Sequence, residues 1–284
     1  MPPIARLVTA MLVFSSSTAL IQASSLPAPV VVSTSPTPQA LLMDNDAQIP
    51  PMTPEEEHTA AKHFFEKRGA GSIVKSCYLE NSIAITFDDG PFDFTNDLLD
   101  TLDRENVKVT FFLNGKNVGS IYDYPGIIKR AYRSGHQIGS HTWDHVDLST
   151  VSLDEVADQM NRLDDYLKGI LGVRPVFMRP PFGTLNWQAQ NWLINQGYTI
   201  VVWNIDTNDW RHPNNVDKSL DALRRALGSS GARNHGFISL AHDTLSSTAY
   251  KLAPAVIQYA KQQGFDLVTV GACLGQSPSQ WYRS

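Results

Sequence analysis

Two cysteines in 284 residues are too few for a disulfide-rich scaffold or a cysteine-based zinc cluster. They leave room for one disulfide. Basic charge is also scarce. Lys and Arg total 23 against 28 Asp and Glu, a formal net charge of -5, so the excess of cations that binds nucleic acid is missing. No apolar run after the first two dozen residues approaches the roughly 20 residues of a membrane-spanning helix. No Asn-x-Ser/Thr sequon occurs, so N-glycosylation is not expected. What remains is an ordinary globular composition, 42% apolar with 18 Gly and 17 Pro, on a chain long enough to bury a large core.

Residues 1–23 carry one early charge, Arg6, then an apolar stretch diluted by Ser15, Ser16 and Ser17, then small residues from Ala23. This is the layout of a cleaved secretory signal peptide. A membrane anchor or a merely apolar start are the alternatives, and the serine-interrupted stretch is short for a spanning helix. Residues 24–70 read as a Pro/Ser/Thr-rich linker or pro-segment, with a short helix signalled by acidic residues first and basic residues last over 54–68. A catalytic domain is expected over 71–284. The N-terminal address implies a secreted protein, free of the membrane once cleaved. Cys77 and Cys273 bracket the domain, and on an oxidising route they are expected to pair, the alternative being two buried free thiols.

From Cys77 onward short apolar runs alternate with helical segments of about 10–18 residues. Strands are expected at Ile83–Phe87, Val109–Leu113, Gln137–Ser140, Val176–Met178, Tyr198–Trp203, Phe237–Ala241 and Asp266–Val270. Helices are expected at Thr95–Glu105, Gly126–Ser134, Leu153–Leu171, Trp187–Gln196, Val216–Leu227 and Ala249–Gln263. Ser152 and Glu155 make a capping box before the third helix, and Gly135, Gly172, Gly197 and Gly264 stand where helices stop. Alternation of this kind means parallel strands in an α/β fold, either a barrel or an open doubly wound sheet. No glycine-rich phosphate loop follows the first strand, which removes support for a nucleotide-binding reading.

Polar residues gather at the C-terminal ends of these strands, which share one face in parallel α/β folds. They are Asp88-Asp89-Gly90-Pro91, His141 with His145, Arg179-Pro180-Pro181-Phe182-Gly183, Asp206 followed by Asp209-Trp210, and Leu240-Ala241-His242-Asp243. His141 and His145, four apart, can share one metal with a carboxylate and leave a position open for water. Taken alone, such a histidine pair is usually structural. Asp88-Asp89 could be a simple turn, but adjacent carboxylates beneath an apolar strand need neutralising, and a cation does that. One aspartate can bind metal while the other stands free as a base. Arg179 is a candidate bidentate partner of the free aspartate, with a structural ion pair as the alternative. His242 with Asp206 forms a candidate acid pair. His58, His63, His136, His212 and His235 read as structural or solvated. Trp143, Trp210 and Phe182 suit a sugar-binding groove, although taken singly such aromatics are more often core.

The motifs TFDDGP, SHTWDH, RPPFG, DTNDW and SLAHD, in this order over about residues 77–275, resemble those of the polysaccharide deacetylases, the NodB-homology family or carbohydrate esterase family four. The signal peptide, the SHTWDH wording and the GACLG near the end are most similar to the secreted fungal members that deacetylate chitin. The resemblance implies a distorted (β/α) barrel of about seven parallel strands. It implies a divalent metal, zinc foremost and cobalt as an option, held by Asp89, His141 and His145. It further implies that Asp88 is the general base, that Arg179 orients it, that His242 is the general acid and that Asp206 tunes it. The backbone N–H at Phe182 would be the oxyanion donor, and Leu240 and Trp210 would line the acetyl pocket and groove. The expected activity is hydrolysis of the N-acetyl group of N-acetylglucosamine units in chitin or its oligomers by a monomer. Another acetylated glycan (peptidoglycan, a galactosamine polymer or xylan) is the alternative substrate. A non-catalytic carbohydrate-binding protein and a glycosidase are the competing classes.

Overall fold

Runs of three to five β-branched and aromatic residues bounded by polar turns are short enough to become buried parallel strands. The computed structural model describes residues 73–284, and there each expected run forms a strand. The signal peptide, the linker and the short acidic-to-basic helix lie outside the described residues. In chain order the strands are β1 (Ile73–Val74), β2 (Ser82–Ala84), β3 (Thr86–Asp88), β4 (Thr110–Leu113), β5 (Gln137–Ser140), β6 (Arg174–Pro175), β7 (Phe177–Met178), β8 (Thr199–Val201), β9 (Ile205–Asp206), β10 (Gly236–His242), β11 (Asp266–Val268) and β12 (Tyr282–Arg283). The helices are α1 (Thr95–Glu105), α2 (Pro125–Arg133), α3 (Leu153–Leu171), α4 (Trp187–Asn195), α5 (Val216–Leu227), α6 (Ala253–Gln262) and α7 (Val270–Cys273).

The strands pair in parallel in the order β1-β8-β7-β5-β4-β3-β10-β2-β11, with β9 also on β10. β2 and β3 are one strand interrupted at Ile85, because β10 meets both in a single register, Gly236 opposite Ser82 and His242 opposite Asp88. β8 leads through residues 202–204 into β9, whose Ile205 lies opposite Ser239 of β10. That short link closes the ring at the end where the strands finish. β11 pairs with β2 on the edge that β4 takes higher up on β3. The result is the expected distorted barrel, opened at its lower end to admit a seventh strand. The antiparallel pair β6–β12 lies apart from this sheet.

Adjacent strand residues face opposite ways. Phe111 of β4 joins Leu98, Leu99 and Leu102 of α1 in the layer between sheet and helices, whereas Phe112 joins Ala84, Phe177, Val201 and Ile238 in a second core. Cys77 and Cys273 belong to that second core and form a disulfide, with their Cα atoms 5.1 Å apart. Ser152 caps α3 by accepting from the Glu155 N–H, and the four helix-stop glycines all take φ between +77° and +82°. The last long helix differs from expectation. It enters through a π turn at Thr248–Leu252 before α6, where Pro254 supplies no N–H to the helical ladder. Among the described residues no helix is long and apolar enough to cross a membrane.

Candidate metal centre and active site

β3, β5, β7 and β10 all run parallel and end on one side of the barrel, and each delivers its polar residue there. Asp88 is the last residue of β3, and the chain then turns so sharply that Asp89 takes φ +75°. Successive side chains therefore do not simply alternate, and the two carboxylates part. Asp89 Oδ1 lies 3.3 Å from His145 Nε2 and 3.6 Å from His141 Nε2. Ligand atoms of these three residues sit within 4.8 Å of one another. His145 and Thr142 also take positive φ, +56° and +71°. Residues held in such rare conformations concentrate at functional sites.

The donor set fits a cation. His141 Nδ1 donates to the Arg179 carbonyl oxygen at 2.7 Å, which leaves Nε2 as a bare lone pair aimed at Asp89. Burial pushes the His141 pKa down to about 3, against the pull of Asp89, so the ring stays neutral. Asp89 Oδ1 is buried and accepts no hydrogen bond. The His141 lone pair facing a carboxylate oxygen at this range is unfavourable without a positive charge between them.

Asp88 has other company. Arg179 is completely buried and gives its Nη1 to Asp88 Oδ1 at 2.8 Å and to Thr86 Oγ1 at 2.6 Å. The expected bidentate fork is not formed: one nitrogen serves both, while the guanidinium carbon lies 4.3 Å from the centre of the Phe112 ring. Burial raises the Asp88 carboxyl above the ordinary carboxylate range, with Arg179 and His242 opposing the rise. A buried, oriented and somewhat basic carboxylate suits proton abstraction.

The acid pair differs from the sequence expectation. His242 Nδ1 meets Asp209 Oδ1 at 2.8 Å, and it is Asp209, not Asp206, that supports it. Asp209 Oδ2 also accepts from the His242 N–H and from Thr248 Oγ1, each at 2.7 Å. Burial works to lower the His242 pKa, but the hydrogen bond and charge of Asp209, helped by Asp89 and Asp88, lift it to about 9. Asp206 instead accepts from the Asn208 N–H at 2.7 Å and builds the turn, with Asn208 at φ +49°, that presents Asp209.

Phe182 and Trp210 are exposed, 63% and 51%, and Phe182 rests edge-on against His145 at 4.7 Å. Phe182 itself takes φ +60°. Leu240 is buried on β10. Trp143 is no part of a groove: it is buried, packed so closely on Gly115 that a β-carbon there would overlap the indole, and covered by Arg162 at 4.6 Å. His136 is structural, a buried ring whose Nδ1 accepts from the Val109 N–H, with burial lowering its pKa to about 4. Asn114 was not singled out from the sequence. Its backbone N–H donates to the Gly90 carbonyl, and its side-chain amide donates to the carbonyls of His141 and Thr142. It thus ties the Asp89 turn to the histidine turn. The only sequence signal was its place directly after an apolar strand.

Comparison with known proteins agrees with this geometry. The family model for polysaccharide deacetylase matches residues 75–201. A chitin deacetylase of Pestalotiopsis sp is 42% identical over 215 residues, covering 75% of this chain and 70% of that protein. A probable peptidoglycan-N-acetylglucosamine deacetylase of Arthroderma benhamiae is 40% identical, and the match spans 75% of this chain and about half, 48%, of that protein. The solved chitin deacetylase of the fungal pathogen Colletotrichum lindemuthianum superposes with a TM-score of 0.71 at 35% identity, covering 75% of this chain and 96% of the other. The chain belongs to the polysaccharide deacetylase family.

Proposed function

We propose that this protein hydrolyses the N-acetyl group of N-acetylglucosamine units in chitin or chitin oligomers, releasing acetate. The observation that carries the reading is the division of labour between Asp88 and Asp89. One neighbour is clamped by Arg179 and the other faces the Nε2 atoms of two imidazoles, His141 and His145. The named chitin deacetylases among its relatives support the substrate. A relative named for peptidoglycan keeps other N-acetylated glycans as the second reading.

Asp89, His141 and His145 would hold a divalent metal, for which two imidazoles and one carboxylate favour zinc, and when bound it would polarise the acetamide carbonyl and acidify a water. Asp88 takes a proton from the attacking water as its oxygen bonds to the carbonyl carbon. The N–H of Phe182 donates to the oxyanion that develops. His242, protonated and steadied by Asp209, gives its proton to the amide nitrogen as the C–N bond breaks. Acetate and a free amine result. Arg179 keeps Asp88 aimed throughout. Exposed Phe182 and Trp210 offer flat faces to pyranose rings, and buried Leu240 limits the space beside His242. The disulfide supports a secreted location, since such bonds persist in oxidising compartments.

Mass spectrometry on defined chitin oligomers tests this. Loss of single acetyl groups with intact chain length is expected. Chain cleavage would favour the glycosidase class, and unchanged oligomers a binding protein.

A further inference from the structure

Asp243 takes no part in the chemistry above, yet it is completely buried one residue beyond His242. Its carboxylate lies against the backbone of Gly90. A β-carbon added at Gly90 would stand 2.7 Å from Asp243 Cγ and nearer still to both oxygens. Oδ1 has no hydrogen-bond partner and is packed on this contact. Oδ2 accepts from Thr95 Oγ1 at 2.5 Å, and the same hydroxyl accepts from the Phe92 N–H at 2.9 Å. Asp243 and Thr95 therefore enclose the Gly90-Pro91-Phe92 turn, which begins directly after Asp89. The other side of Gly90 is held by its carbonyl, bonded to the Asn114 N–H.

We propose that Asp243 is a positioning residue whose carboxylate acts as a spacer, fixing Asp89 relative to His141 and His145 and the base turn relative to His242. The geometry makes this a property of contact. β3 and β10 pair at Asp88 and His242, and Asp243 against Gly90 extends that pairing beyond the strands. Only a residue without a β-carbon allows the approach. The reading rests on the metal triad proposed above, and zinc affinity is read separately from activity.

Zinc dissociation constants, measured by chelator competition beside thermal unfolding, test it. Asp243→Asn keeps both the bulk against Gly90 and an acceptor for Thr95, so zinc affinity should stay within about threefold of the parent. Asp243→Ala removes both and should weaken it about tenfold or more, the usual cost of losing a partner behind a ligand. Gly90→Ala should weaken zinc binding as well, and the double variant Gly90→Ala/Asp243→Ala should bind zinc more tightly than Gly90→Ala alone. Unchanged affinity in Asp243→Ala, or equal losses in Asp243→Asn and Asp243→Ala, would overturn the proposal, the latter by assigning the effect to charge. If Gly90→Ala does not fold, the Asn and Ala variants decide. Absence of zinc binding in the parent would refute the metal site itself.

Discussion

Asp209 and His242 meet at 2.8 Å, and the aspartate's second oxygen binds the histidine's own backbone N–H. One carboxylate thus fixes both the ring and the strand end that carries it. If His242 is the acid, as proposed, it works only while protonated, and activity should fall as pH rises through its pKa, which stands at about 9. Asp209→Asn removes the charge that opposes burial, so the alkaline limb of the kcat–pH profile should move to lower pH. Asp206→Asn should leave that limb in place. Equal shifts in the two variants would contradict the pairing.

Asp88→Asn preserves shape and removes basicity. It should keep metal and lose about 10²–10⁴ in turnover, the usual worth of a positioned base. Asp89→Ala removes a proposed ligand, so metal content itself should fall. Metal analysis beside turnover distinguishes them, and an inverted result would exchange the two roles.

Asn114→Asp turns the amide that donates to His141 and Thr142 into a carboxylate facing two carbonyl oxygens. Metal affinity should drop about 10–100-fold, as expected for a residue that orients ligands. Asn114→Ala leaves the His141 carbonyl unpaired, while that of Thr142 keeps the Gly115 N–H, and should act in the same direction. Chelator competition on the folded variants provides the check.

The Cys77–Cys273 bond closes a loop of sequence separation 196. In the chain-entropy model such a loop is worth roughly 5 kcal/mol, and removal of a native disulfide typically costs about 2–5 kcal/mol. Replacing both cysteines with serine should lower the denaturation midpoint and, because the uncrosslinked unfolded chain exposes more surface, raise the m-value.

The strands and helices were legible because apolar runs, glycine stops and the Ser152 cap each act locally. Of the five two-residue strands only β7 falls within an expected run, Val176–Met178; β1, β6, β9 and β12 leave too few residues for any period to register. Asp206 attracted the acid-pair role because it is the first carboxylate after the strand expected at Tyr198–Trp203. The turn through Asn208, a non-glycine residue with positive φ, hands that role to Asp209 and has no signature in one sequence. Trp143 suits a groove in sequence because it is an aromatic between His141 and His145, and its burial on Gly115 is a tertiary fact. Asn114 and Asp243 act through contacts 27 and 148 residues away in the chain, which no local pattern encodes.

The most direct test is acetate release from chitin oligomers by protein stripped of metal and then reloaded with zinc, with bound metal quantified in both states. The account predicts negligible acetate from the stripped protein and recovered release in proportion to bound zinc. Undiminished release from protein verified to be metal-free would contradict it.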